Sequence, residues 1–254
     1  MVSGMSTTFY LFTAPVVLLF SGLLTMAGLG AAFLFVPLFY YLGMPLAEAA
    51  PAALLLNAIS LSVATANYWR GRLIDWSIAL PVSVVAVVFA PIGARLTTHV
   101  DKAILLLLFA MFLAFAGAMM LFYQARDRER GGGTTTGWLV GAGVGGAAGF
   151  VGGLLGVGGG NIIVPALNWL GLDAKRAAAT SAFAVVLSSL AGFLGHATVG
   201  KLDATFLGTM AALAAGGSLA GSQLMQKISS VQLKKIIGVV LWLVAGKVFL
   251  DALK

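Results

Sequence analysis

From one end to the other, the chain alternates long apolar runs with short polar or charged interruptions. The runs cover 9–27, 31–43, 47–69, 76–94 and 103–123, then 137–155, 161–172, 174–199, 204–222 and 231–250. Leu, Ala, Val and Gly fill them without the alternation of strands, so the pattern predicts helices. The second run of each set holds about a dozen residues, roughly 18 to 20 Å of helix, which is too short for the hydrocarbon core. Glycines separate it from the run before: Gly28 and Gly30 in the first set, Gly156, Gly158, Gly159 and Gly160 in the second. Each short run also carries a proline, Pro37 or Pro165. Glycine accepts backbone conformations that other residues avoid, and proline removes a donor. Helix breaks are therefore expected at Gly28, Gly30, Pro37, Gly156 and Pro165. First and second runs together are too long for one crossing, which predicts a hairpin turning at the glycines inside the membrane. Broken backbone in hydrocarbon persists only where protein covers it or where it lines a wet cavity, so the breaks mark a candidate site.

The two sets are copies. Shifted by 128 residues, Gly28, Gly30, Val36, Pro37 and Gly43 fall on Gly156, Gly158, Val164, Pro165 and Gly171, and Gly93 and Leu96 fall on Gly221 and Leu224. Glycines and prolines held in register over about a hundred residues indicate an internal duplication. The expected organisation is a first transmembrane repeat (1–123), a charged, flexible, cytoplasmic linker (124–136) and a second transmembrane repeat (137–254). Each repeat is a glycine-broken hairpin plus three transmembrane helices. Basic residues choose the orientation. If each hairpin returns to the side it entered from, Arg70, Arg72, Arg126, Arg128, Arg130, Lys175, Arg176, Lys227, Lys234 and Lys235 share one side, against Arg95, Lys102, Lys201, Lys247 and Lys254. That is 10 against 5. Hairpins that cross leave 8 against 7, with no orientation signal. The positive-inside rule favours inverted repeats.

Composition narrows the class. The chain is 60% hydrophobic and 9% charged, where soluble domains carry roughly a quarter charged residues. An all-α polytopic protein of the inner (plasma) membrane, multi-pass, is the expected class. The first run lacks the basic flank of a signal peptide and recurs halfway along, so it reads as structural. Cysteine is absent, which removes disulfides and thiolate metal sites. The net charge of +7 belongs to loop lysines and arginines that set orientation, and no nucleic-acid stripe accompanies it. The acidic residues, Glu48, Asp75, Asp101, Asp127, Glu129, Asp173, Asp203 and Asp251, all fall at span ends or in loops. No mid-membrane carboxylate pair, as a proton relay or sodium site would usually need, is expected.

In its Gly156-Val157-Gly158-Gly159-Gly160-Asn161-Ile162-Ile163-Val164-Pro165 block, echoed at Gly28-Leu29-Gly30 and Val36-Pro37, the chain resembles the TauE/SafE family of membrane transporters over essentially its whole length. In the first half, Ala31, Ala32 and Phe33 stand where the second has Gly159, Gly160 and Asn161. The resemblance implies export of sulfite or of a small organosulfur anion; no cofactor and no metal are expected.

A helix starting near Asn161 would aim free amides and its positive dipole end at the break, while Gly158, Gly159 and Gly160 let an oxyanion reach the backbone. Against this, Asn161 is equally well read as a helix cap. Asn57, Ser60, Ala64 and Asn67 form one helical stripe, and Thr180, Ala184, Ser188 and Ala191 another, with Ser181 and Ser189 alongside. Asn57, Ser60, Thr180, Ser181 and Ser188 join the candidate substrate contacts, since amides and hydroxyls donate to an anion without fixed charge. Serines and threonines in membrane helices more often bond backbone or join helices. Gly141, Gly145, Gly149 and Gly153 predict a smooth packing face. Glu48 and Arg176 read as helix-end anchors, His196 as a helix-end partner and Lys247 as a snorkelling lysine.

The function expected is a secondary transporter working by alternating access around the breaks. The alternative is a channel-like anion pore. An enzyme is not expected, because no metal cluster, nucleophile elbow or carboxylate pair is in view. Compatible partners are a small anion, the lipid bilayer and a homo-oligomeric second copy.

Overall fold

The computed structural model describes residues 7–122, 134–196, 202–224 and 231–253. They form ten helices: α1 (Thr7–Met26), α2 (Ala32–Tyr41), α3 (Leu46–Arg70), α4 (Trp76–Leu96), α5 (Lys102–Phe122), α6 (Thr134–Leu155), α7 (Gly160–Trp169), α8 (Ala174–His196), α9 (Ala204–Leu224) and α10 (Val231–Ala252). No strand occurs among the described residues. Helices α3, α4, α5, α8 and α9 are long and apolar enough to cross a bilayer. The protein is a polytopic all-α membrane protein. Most of the expected linker, and the end of the expected 174–199 run, lie outside the described residues; the last linker positions, from Thr134, already belong to α6.

The 128-residue offset carries into the coordinates. Ala32 and Tyr41, the ends of α2, correspond to Gly160 and Trp169, the ends of α7; Trp76 and Leu96 of α4 correspond to Ala204 and Leu224 of α9. Capping repeats as well. Asp75 accepts from the Ser77 amide at 3.2 Å, and Asp203 from the Thr205 and Phe206 amides at 2.7 and 3.0 Å. Such caps satisfy donors that have no partner within the helix.

Both glycine clusters separate two helices. Gly28 and Gly30 take φ of 67° and 72°, and Gly156, Gly158 and Gly159 take 73°, 80° and 81°, in the left-handed region that side chains with a Cβ avoid. The prolines behave differently. Pro37 and Pro165 lie inside α2 and α7, and neither interrupts its helix. A proline in the second turn forfeits one backbone bond, to an acceptor in the first turn, and the helix continues past it. The glycines alone make the breaks.

Contacts along the helices fix their directions. Leu54 lies against Gly192, and Asn57 bonds Ser189, so α3 and α8 run antiparallel. Asn67 donates to Ser222 at 2.7 Å and the Ser60 carbonyl accepts from Ser218, so α3 and α9 run parallel. Glycine faces let the remaining pairs close. Gly145, Gly149 and Gly153 of α6 meet the backbones of Val82, Ala86 and Ala90 of α4, as the four-residue glycine spacing predicts. Gly217 and Gly221 of α9 meet Leu18 and Gly22 of α1. The first helix of each set thus packs on the fourth helix of the other set.

Helix α1 runs alongside α3 in the same direction, with Tyr68 Oη donating to the Thr25 carbonyl at 2.9 Å. After the break, α2 starts beside Asn57, midway along α3, and ends at the turn that feeds α3. Its ten residues cover about 15 Å, half the hydrocarbon thickness. Phe33, Phe35 and Phe39 on α2 are fully buried among Leu105, Phe109 and Leu113 of α5 and Phe206 and Met210 of α9. Phe39 meets Phe206 edge to face at 5.3 Å between ring centroids. Ile104, Met111 and Phe115 of α5 and Leu243 and Leu250 of α10 stay exposed, as lipid-facing side chains must.

Candidate functional site

The site is built from the two breaks and the crossing of α3 and α8. A Cβ on Gly160 would collide with the Leu29 backbone, so the two glycine loops touch. One on Gly158 would lie 2.6 Å from Asn57 Nδ2 and 2.7 Å from Ser189 Oγ. Glycine at 158 is therefore required by space as well as by φ, because the backbone sits against the polar crossing of the two long helices.

Asn57 is fully buried, and both ends of its carboxamide are engaged. Oδ1 accepts from the Ala31 amide at 2.8 Å and the Ala32 amide at 3.4 Å, the open start of α2. Nδ2 donates to Ser189 Oγ at 2.9 Å, tying α3 to α8. A mid-span amide is costly in hydrocarbon unless paired, and here both its oxygen and its nitrogen have partners.

The second break differs. The amides of Gly159, Gly160 and Asn161 donate to no acceptor among the described residues. The Asn161 side chain, 4% exposed, leaves Nδ2 without a partner. Ser188 Oγ donates to the Gly158 carbonyl at 3.1 Å and braces the loop from α8.

Other expected contacts are spread along the molecule. Ser181 Oγ donates to the Gly28 carbonyl at 3.1 Å, bracing the first break. Thr180 Oγ1 accepts from the Asp75 amide at 3.0 Å and holds the start of α4 instead of a loop. Ser60 faces α9: its carbonyl takes the Ser218 hydroxyl, and its own hydroxyl is buried with no partner. Gly28 and Gly156 are pressed on the opposite long helix, Gly28 on Ala178 and Gly156 on Ala50. These two contacts are counterparts under the 128-residue shift.

Sequence reasoning gave Ser189 only a place beside the stripe, although it completes the Asn57 link. It also gave no role to Tyr68. Tyr68 Oη bonds the Thr25 carbonyl at 2.9 Å, and His196 Nε2 contacts the Gly153 carbonyl at 2.9 Å. Positions 68 and 196, like 25 and 153, differ by 128. Each set therefore brings one buried ring to a last-turn carbonyl of its broken helix, and the Thr25 carbonyl also accepts from the Gly28 amide at 2.9 Å. Extending the offset to every buried polar ring would have found the pair.

Charge stays at the rim. Arg176 lies 3.5 Å from Asp75, joining the starts of α8 and α4. Lys247 lies 3.9 Å from Asp251 and 4.3 Å from the centre of the Tyr41 ring, while Tyr41 Oη donates to Asp251 at 2.9 Å. No group of three or more His, Asp or Glu able to hold a metal occurs among the described residues. Among the described residues the centre offers neutral donors to a guest and no carboxylate, a setting suited to an anion.

Comparison with known proteins agrees on class. The family model described as "Sulfite exporter TauE/SafE" matches residues 13–248. A protein of Methanocaldococcus jannaschii named a probable membrane transporter is 27% identical over 84% of this chain and 86% of its own length. A Bacillus subtilis protein with the same description is 31% identical over 45% of this chain and 42% of its own.

Proposed function

Because the chain belongs to the sulfite exporter TauE/SafE family, we propose that it is a secondary transporter exporting a small oxyanion, sulfite or an organosulfonate, by alternating access around its glycine breaks. One observation carries the reading. Two helix breaks touch at the α3–α8 crossing, where, among the described residues, backbone amides and an asparagine donor lack acceptors and no carboxylate stands beside them.

The movement follows from an inverted-repeat arrangement. The antiparallel run of α3 and α8, counterparts at the 128-residue offset, supports opposite-facing halves, and so does the return of α2 to the end of α3 where α1 began. In such a carrier one half rocks against the other around a fixed site. Here the glycine faces of α4–α6 and α1–α9 are the sliding surfaces. The 10-against-5 split of basic residues supports a cytoplasmic side for the α3–α4 and α7–α8 turns and the 124–136 linker, in a protein of the inner membrane.

Proteoliposomes loaded with labelled sulfite or ethanesulfonate test the reading. Saturable efflux that responds to an imposed proton or counter-anion gradient is the expected outcome. No flux of any such anion by folded protein overturns the substrate class. Unitary current steps in a planar bilayer would replace the carrier with a channel-like pore.

A further inference from the structure

The transport reading above leaves open which of the two breaks receives the anion. We infer that only the second does, because the chain fills the first with an oxygen of its own. At the first break the Ala31 and Ala32 amides converge on Asn57 Oδ1. This carboxamide oxygen occupies the place of an anion's oxygen at the start of α2. The 128-residue shift carries Ala31, Ala32 and Asn57 onto Gly159, Gly160 and Val185. The two loops share their internal bonding. Ala31 O accepts from the Leu34 and Phe35 amides, and Gly159 O from the Ile162 and Ile163 amides. The first-turn bonding of the short helices is thus the same in both halves, although Gly159 takes a φ of 81° where Ala31 takes −106°. At the second break Val185, which has nothing to offer an N–H donor, lies against Gly158.

Asn161 supplies the independent sign of a ligand. Its Nδ2 is buried and unpartnered, in a side chain 4% exposed. It stands in the first turn of α7, where Cα–Cβ bonds lean toward the helix N-terminus and so toward the break. The first half has Phe33 at this position, fully buried in the apolar cluster around α2. The second break therefore presents four donors, the amides of Gly159, Gly160 and Asn161 and the Asn161 carboxamide. That number suits a compact anion with three oxygens on one centre, the shared feature of sulfite and a sulfonate head. One chain then carries one anion.

The test supplies the missing acceptor. Calorimetric titration of the purified full-length chain with ethanesulfonate, and separately with sulfite, is expected to give one site per chain. Val185→Asn places a carboxamide oxygen where Asn57 stands in the first half. It should weaken binding more than tenfold without lowering the unfolding temperature, because it closes a cradle left open. Asn161→Ala removes one donor and should weaken binding on the order of tenfold, which keeps the question decidable if Val185→Asn fails to fold. Two anions per chain, or wild-type affinity in both variants, overturns the assignment to the second break while leaving the transport reading intact. A folded wild-type chain that binds neither anion overturns both.

Discussion

Asn57 illustrates how little a residue type says about its role. A mid-span amide points equally to a substrate contact and to an internal clasp, and its three partners here are all parts of the chain. Asn57→Leu should therefore lower stability by about 2–4 kcal/mol, because two amides and a hydroxyl lose their partner in a buried site. Thermal unfolding in detergent reads this, and an unchanged transition would show that the bonds contribute nothing. The glycines separate strain from space. Gly43 (φ 97°) has open room around it, whereas a Cβ on Gly156 (φ 73°) would lie 2.6 Å from Ala50 Cβ. Gly43→Ala should cost about 1–2 kcal/mol of left-handed strain. Gly156→Ala should cost clearly more and reduce transport, since its Cβ also pries α3 from the loop. Equal losses in the two variants would mean that the close approach is unimportant.

A broken helix leaves carbonyls at its end without partners, and in lipid they need one. His196 serves α6 in this way, and Tyr68 adds a second bond to an α1 carbonyl that the Gly28 amide already reaches. Tyr68→Phe and His196→Phe should each cost about 1 kcal/mol. The two losses should add in the double variant, because the rings hold different helices with no shared partner. Strong non-additivity in unfolding measurements would show that the breaks are energetically one unit. Glycine spacing is the other determinant at this scale. Four-residue repeats on α6 bring it onto the α4 backbone, so Gly149→Leu would meet the Ala86 backbone and force the pair apart. Loss of folded, monodisperse protein is the expected result, and normal yield would contradict the close packing.

Over the whole molecule, the exchange of first helices between the halves means that neither half completes its packing alone. Asn67–Ser222 and Asn57–Ser189 are bonds between halves. Topology is testable because the chain contains no cysteine. Single cysteines at His99 and Lys102 should react with a membrane-impermeant maleimide on intact cells. Cysteines replacing Arg70 and Lys175 should react only after permeabilisation. Labelling of 70 and 175 together from outside would reverse the orientation in the membrane. Labelling of the two from opposite sides would overturn the inverted arrangement, because antiparallel α3 and α8 place the end of one beside the start of the other.

Much of this was legible in the residues. The helices, the duplication and both glycine breaks follow from hydropathy and from glycines that recur at one offset, properties local to the chain or to its comparison with itself. Pro37 and Pro165 were misread as breaks because their chemistry is local while its effect depends on the turn they occupy. What neighbour each polar group found is a non-local matter, and only the fold decided it. Asn57 turned toward Ala31 and Ser189, Thr180 toward Asp75, and Asn161 toward no partner, because those outcomes depend on which helix crosses which at the same depth. A periodic pattern records a residue's own helix face; the partner across the gap is set by the packing of segments that lie more than a hundred residues apart.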